Sequence, residues 1–446
     1  MIIRKTIRPL LVLALVWPAS VTMAQKTVNQ FSAKQAVDYA MQNSVPVRNA
    51  LIDIKIQKEV NRQVTSAALP QVNGSISLND YLVIPTSLLP AEIVGGTPGT
   101  YFPVQFGVKY NATGGIDLSQ LLFDGQVFVG LQARRASLDF YQKQADVTKE
   151  QIKANVYKIY YQLVVGRKQL GAIDANIERF DKLLNDTRAI YQNGFAEKLD
   201  VDKVNVQLNN LRTEKVKIES QLDAGNVALK FLMNLPQKDS LVLTDTLSEQ
   251  ELKDNLLEQS YNYGDRSEYK LLQVAQELGR YNIRRYKLSY LPTIAAFASY
   301  SKNAQRQKFN FFNDGSWFTT SIVGLSMKIP IFDGLYKQSS IRKARLELQK
   351  TNQNIEQLKA SIDADVEQAR LKIGSALITV DNQKRNMDLA VQVYNATKLK
   401  YEQGLGSNQE IYAAQTELKV AQSNYYGALY DAIVARIDYL KATGKL

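Results

Sequence analysis

The sequence predicts a mainly α-helical chain of long antiparallel coiled-coil hairpins that also carries the strands of a transmembrane β-barrel. Three observations lead there. No proline falls within 104–235 or 331–446, and both stretches carry apolar seams with a seven-residue repeat. Strand-like segments with one apolar and one polar face precede each seam. The same anchors also recur in the same order in the two halves of the chain, which reads as an internal duplication.

Taken in chain order, residues 1–24 have the layout of a secretory signal peptide. Arg4, Lys5 and Arg8 precede the apolar run LLVLALVW, and small residues end near Ala24, where cleavage is expected. That run is too short to span a bilayer, and no later stretch approaches about eighteen apolar residues. A membrane role therefore has to come from strands or a surface helix.

The first repeat is expected over 25–233. Strands are read at about 71–84 and 105–121. In QVNGSISLND, Val72, Ile76 and Leu78 alternate with Asn73, Ser75, Ser77 and Asn79. In 105–119, Phe106, Val108, Tyr110, Ala112, Ile116 and Leu118 alternate with mostly polar neighbours. An apolar outside and a polar inside suit a barrel with a wet lumen. The apolar stretch 82–104 between them is read as a loop, serving either as an extracellular lid or as packing between subunits. A long helix is expected over 125–192, with Leu138, Ala145, Ile152, Ile159, Gly166, Ile173 and Phe180 as one seam. A return helix is expected over 196–233, with Val204, Leu208, Leu211 and Ile218 on one stripe. At 1.5 Å per residue the long helix would reach roughly 100 Å, a length no ordinary globular domain needs.

Residues 234–263 lack the seam and read as an equatorial connector with a short helix. The second repeat, 264–446, is expected to comprise a helix at 264–290, strands at about 292–304 and 316–331, a long helix at 334–401 and a return helix at 407–441. The helix 264–290 is expected to stack end to end on 196–233. Phe123-Asp124-Gly125 and Phe332-Asp333-Gly334 mark the two strand-to-helix junctions, where the aspartates are read as serving the turn. Tyr191-x-x-Gly194 and Tyr401-x-x-Gly404 mark the hairpin tips, each glycine supplying the left-handed residue that ends a helix.

The 446-residue chain has no cysteine and no histidine. Thiolate metal sites, a lipid-bearing cysteine after the signal segment and histidine-based catalysis lose their usual residues. No enzyme, cofactor or metal is expected, and no nucleotide motif such as a Walker A loop is found. The net charge is +12, or about +9 without the three signal-segment cations. It is read as dispersed basic surface without a Lys/Arg cluster interleaved with aromatics, so no nucleic-acid partner is expected.

Both Leu-Pro strand starts (Leu69-Pro70 and Leu291-Pro292), both Phe-Asp-Gly junctions, both Tyr-x-x-Gly tips and the N-terminal segment FSAKQAVDYAMQNSVPVRNA together resemble the outer membrane efflux protein family, the TolC-like channel tunnels. The resemblance spans essentially the whole chain after the signal segment. It implies a homotrimer in the outer membrane of a Gram-negative bacterium, in contact with outer-membrane lipid and without a lipid anchor. Each subunit would give four strands to a shared twelve-stranded barrel and its helices to a periplasmic tunnel. It also implies passive conduction of drugs, other small molecules or secreted proteins. The partners would be a periplasmic adaptor and an inner-membrane RND-type pump or ABC exporter.

Carried over residue by residue, the family's closed periplasmic gate would use Tyr401 with the carboxylate of Asp200, and Glu410 would narrow the pore. Gly406 stands where a gate arginine is expected, and Ala413 where a second pore acid is expected. The competing reading is a soluble periplasmic coiled-coil adaptor or scaffold, which would also carry heptads and hairpins.

Overall fold

A computed structural model describes residues 28–245, 260–313 and 315–446. The expected signal peptide lies outside these residues, as does 246–259 of the connector with the short helix expected in it. The first half runs β1 (Val28–Phe31), α1 (Ala33–Asn43), α2 (Val45–Ser66), β2 (Gln71–Asp80), β3 (Thr86–Pro90), β4 (Tyr101–Gln105), β5 (Tyr110–Phe123), α3 (Gly125–Gln192), α4 (Lys198–Met233) and β6 (Ser240–Leu243). The second half runs α5 (Ser267–Leu288), β7 (Thr293–Arg306), β8 (Phe318–Lys328), α6 (Tyr336–Glu402) and α7 (Asn408–Ala442).

With 68 residues in α3 and 67 in α6, each long helix extends about 100 Å. Ile152, Ile173 and Phe180 of the first seam are buried, as are Ile355, Ile362 and Ala369 of the second. The return helices pack close. A methyl on Gly166 of α3 would come 2.8 Å from Leu222 of α4, and one on Gly225 of α4 would come 2.8 Å from Leu163 of α3. Each glycine is thus the hole for a leucine knob of the other helix.

β2, β5, β7 and β8 form one antiparallel sheet in that order. The register lines up Val72, Leu118, Ala298 and Val323 across the sheet, and the next row is Asn73, Asp117, Ser299 and Ile322. Rows that are mainly apolar near the helices alternate with mainly polar ones. Toward the β-hairpin end the apolar face also carries Lys302, Thr319 and Arg306, so its helix-proximal part suits lipid and the other face water. On the polar face the Phe297 ring covers Gly324, where a Cβ would lie 2.6 Å from the ring tip. β2 and β8 form the two edges of this sheet.

Several expectations need correction. β2 stops at Asp80 rather than near 84, and β5 starts at Tyr110 rather than 105. The intervening stretch is not a plain loop: TSLLP and YFPVQ pair as the β3–β4 hairpin, with Pro90 and Pro103 within it. β8 covers 318–328 rather than 316–331. The second long helix begins at Tyr336 rather than 334, because Gly334 and Leu335 both have left-handed backbone, φ 64° and 68°.

The stacking expectation is overturned as well. α5 packs against α3 and α6, the same two helices that hold α7. Arg266, just before α5, donates to the Ala442 carbonyl at the end of α7. α5 therefore continues the column of α7. The column of α4 is continued by α1 and α2, which pack on α3, with α1 also touching α4. Helix length alone could not distinguish the two columns, since both return helices are of similar length.

The amino-terminal segment is tied to the middle of the chain. β1 pairs in parallel with β6, and the Tyr160 hydroxyl donates to the Phe31 carbonyl while accepting from the Asp245 N–H. The Asp245 carboxylate in turn accepts from the Ala33 N–H at the start of α1. Burial and the charge of Asp245 both hold the Tyr160 phenol above its ordinary pKa, with burial the larger cause. It stays a neutral donor.

Candidate functional site

The two hairpin tips have the same backbone. Gly194 and Gly404 adopt φ 80° and 75°. Phe195 N–H bonds back to Ile190 O and Gly194 N–H to Tyr191 O, while Leu405 and Gly404 make the equivalent bonds to Lys400 and Tyr401. Both are Schellman turns, which need a left-handed residue and so favour glycine. The duplication thus extends to individual hydrogen bonds.

Asp200 and Glu410 occupy equivalent places, three residues into the return helices. Asp200 accepts from the Glu197 N–H at 3.4 Å and faces Lys203 at 3.9 Å. The Glu410 N–H is capped by the Ser407 hydroxyl, and its carboxylate is exposed. An acid in the first turn complements the helix dipole. The Tyr401 hydroxyl donates to Asn408 Oδ1 at 2.7 Å within its own hairpin. No hydrogen bond joins Tyr401 to Asp200 among the described residues. Burial first, then the charge of Asp186, raises the Tyr401 phenol above its ordinary pKa, so it remains a donor. Gly406 also has a local reason: a Cβ there would lie 3.1 Å from the Tyr401 nitrogen, against the end of α6.

Tyr401 packs on the Phe180–Leu184 cluster of α3, and the hydrogen bonds and ion pairs between inner and outer hairpins run from the end of α6 upward, at residues the sequence reading did not single out. Asn176 of α3, almost fully buried, donates to Gln422 Oε1 of α7 at 2.8 Å and accepts from Arg179 at 2.7 Å. The Arg179 guanidinium lies 5.6 Å from the centre of the Tyr394 ring of α6. Lower down, Lys182 of α3 meets Glu402 of α6 at 3.7 Å. Lys419 of α7 meets Glu214 of α4 at 2.8 Å. A cleft of about 520 Å³ opens among these groups, lined by Arg179, Lys182, Asp186, Tyr394 and Tyr401. Asn176 falls between Ile173 and Ile177 on the seam, and a polar residue in that position is the only sequence signal that could have revealed the layer.

The strand-to-helix junctions differ from each other. Asp124 Oδ1 caps α3 by accepting from Gln126 N–H and Val127 N–H, and its Oδ2 accepts from the Thr293 hydroxyl of β7. Gly125 is required by proximity, because a methyl there would lie 2.5 Å from the Leu288 carbonyl oxygen. Phe123 packs against Phe128 at 5.6 Å. Asp333 accepts from the Lys337 N–H and pairs with its ammonium at 3.4 Å. Gly334 is required by its positive φ, and Phe332 is exposed.

Among the described residues no group of three or more metal-ligating side chains is found, and no helix is long and apolar enough to cross a membrane. The latter says nothing against the sheet.

Residues 270–445 match the family described as Outer membrane efflux protein. The outer membrane protein TolC of Vibrio cholerae is 20% identical over 348 residues, covering 74% of this chain and 76% of its own. The outer membrane efflux protein BepC of Brucella suis is 22% identical over 422 residues, covering 91% of this chain and 84% of its own. The crystal structure of the CmeC outer membrane channel of Campylobacter jejuni superposes with a TM-score of 0.74 at 15% identity, over 93% of this chain and 85% of that one. The sheet, the paired long helices and the duplicated tips therefore share the fold of these outer-membrane channels, and the second half of the chain carries the match to the outer membrane efflux protein family.

Proposed function

We propose that three copies of this chain form a passive exit duct through the outer membrane, working with a periplasmic adaptor and an inner-membrane pump or exporter that supplies the energy. The observation that carries the reading is the four-stranded sheet, mainly apolar on one face and mainly polar on the other, set on helices about 100 Å long. Four strands cannot close a barrel, and open edges are not tolerated in lipid. Three copies would supply twelve strands and remove every edge. Cell fractionation with planar-bilayer recording tests this. Recovery in the detergent-dependent outer-membrane fraction, with discrete conductance steps, is expected. Recovery in the soluble periplasm would instead support an adaptor or scaffold.

The tips are the proposed gate. Tyr401, Asp200 and Glu410 lie at the end of the molecule farthest from the sheet, where inner and outer hairpins must separate for the duct to open. The Asn176–Gln422 layer and the Lys182–Glu402 pair support the same reading, since both tie an inner hairpin helix to α3. Repeated three times, Glu410 would form a ring that favours cations. BepC is named an efflux protein, whereas PrtF of Dickeya chrysanthemi is named a protease secretion protein, so the relatives' names span both export routes. Co-purification with a proton-driven RND-type pump would assign efflux, and with an ABC exporter type I secretion.

A further inference from the structure

Net charge was read from the sequence as dispersed, yet the structure concentrates it. Between Leu278 and Lys350 the sequence holds thirteen Lys/Arg and three acidic residues. The segment GRYNIRRYKLSY (279–290) does interleave cations with tyrosines, contrary to the sequence reading. It forms the end of α5, directly beneath the sheet, and α6 descends beside it.

Two contacts fix how these helices are turned. Gly279 of α5 lies against Leu348 of α6, and Gln276 Nε2 donates to Asn352 Oδ1 at 2.8 Å. At 3.6 residues per turn, Arg280, Arg284 and Lys287 then share one face of α5, and Arg342 and Arg345 the adjoining face of α6. All five are exposed. Arg280 donates to Gln276, and none of the five has an ion pair among the described residues.

That shared face points away from the pore. The Tyr81 N–H donates to the Lys109 carbonyl, so odd-numbered residues of β2 and β5 face each other through hydrogen-bonded pairs. With the odd, polar side chains inward, L-chirality sets the order seen from outside, extracellular end up, as β8, β7, β5, β2 from left to right. The helices keep that order, since α3 and α6 flank α5. This places Arg280, Arg284 and Lys287 on the outer wall, while Val274 and Leu278 on the other side of α5 are buried or half-buried.

The membrane plane is marked just above. Tyr290, Ile331, Phe332 and Tyr336 are exposed at the strand-to-helix border, as in the aromatic girdle of a bilayer interface. Lys287 lies six residues before β7 and Arg342 six residues into α6. At about 1.5 Å per residue Arg342 lies roughly 9 Å below the start of α6, and Lys287 is the penultimate residue of α5, just below the turn into β7. Long cationic side chains reach upward from such positions into a headgroup layer about 5–8 Å deep.

We propose that Arg284, Lys287, Arg342 and Arg345 form a basic collar that binds the phosphate headgroups of anionic phospholipids in the periplasmic leaflet of the outer membrane. This rests on the reading of the sheet as an outer-membrane barrel.

The test uses the full-length channel in phosphatidylcholine vesicles containing spin-labelled phosphatidylglycerol or spin-labelled phosphatidylcholine. The protein-restrained signal is expected to favour phosphatidylglycerol about fivefold or more at low salt, and the preference should fade at high salt. The variant Arg284→Gln/Lys287→Gln/Arg342→Gln/Arg345→Gln should lose it. The control Arg167→Gln/Lys168→Gln/Arg188→Gln/Lys217→Gln, with equal charge loss lower down the helices, should keep it. No preference in the wild type, or an undiminished one in the collar variant, overturns the proposal. So does a shifted reversal potential in the collar variant, which would place the cations on the pore wall. A protein that inserts and conducts without lipid preference sinks the collar alone. One that never inserts sinks the channel reading and the collar with it.

Discussion

Replacing Asn176 by alanine is expected to loosen the inner hairpin from the outer one. Its side chain joins α3 to α7 through Gln422 at 2.8 Å and holds Arg179 at 2.7 Å, and it is only 2% exposed. Truncation leaves the Gln422 carbonyl and part of the Arg179 fork without partners. The Arg179 Nε is already unpartnered. Leaving a buried polar group unsatisfied costs about 1–3 kcal/mol, equivalent to a factor of about 5–150 in the closing equilibrium of each subunit. Lys182→Ala removes a pair whose side chains are 66% and 48% exposed. An exposed pair contributes about 0.2–1 kcal/mol. In planar bilayers, Asn176→Ala should raise the open fraction at least about fivefold at any salt concentration. Lys182→Ala should raise it less, and only at low salt. If Asn176→Ala lowers the thermal transition but leaves the open fraction at wild-type level, the polar layer is only core packing and its role in holding the tips shut is wrong.

Further outcomes follow from other sites. Gly125→Ala should destabilise by about 1–3 kcal/mol through the clash with Leu288. Gly171→Ala, with open space around the Cβ, should stabilise by about 0.5–1 kcal/mol; thermal unfolding compares the two. Tyr261 and Tyr263 both donate to Asp363 Oδ1, and hydrogen bonding to that carboxylate pushes the Tyr261 phenol up to about 12. Because the folded pKa is raised, this contact is fully present below about pH 10 and is lost as pH rises through about 12. Ultraviolet titration should show a late tyrosine that Asp363→Asn removes. Glu410→Ala should lower cation preference, and an unchanged reversal potential in a salt gradient would strip Glu410 of its pore role.

The sequence displayed best what repeats locally. A seam such as Ile152, Ile173 and Phe180 exposes a long helix because each residue buries against the same partner stripe. Gly194 and Gly404 expose the tips because only a left-handed residue completes that turn. What stayed hidden depends on distant segments meeting. β1 and β6 are four residues each and pair across more than two hundred positions. TSLLP and YFPVQ are short, and their prolines argue against strand. The α5–α7 column, the Asn176 layer and the cation-bearing face of α5 and α6 all require knowing which helices adjoin. Asp200 and Glu410 were legible as a matched pair, but capping accounts for their spacing as well as gating does.

The latch at Tyr160 has a consequence for biogenesis. The first described strand, β1, finds its partner only in β6, and the Ser32–Gln35 capping box of α1 is supplemented by Asp245, which accepts from the Ala33 N–H. As the polypeptide emerges amino end first, α1 can dock on α3 and α4, but β1 has no partner strand until β6 has followed it. Closing so long a loop is slow compared with zipping the α3–α4 hairpin, whose contacts are local at the tip. The amino-terminal apolar residues Val37, Ala40 and Val47 share one buried cluster with Ile152, Val156 and Leu229, so the α3–α4 hairpin supplies the surface that covers them. Assembly of the first half therefore ends with the pairing of β1 and β6, which locks the amino-terminal segment to the middle of the chain.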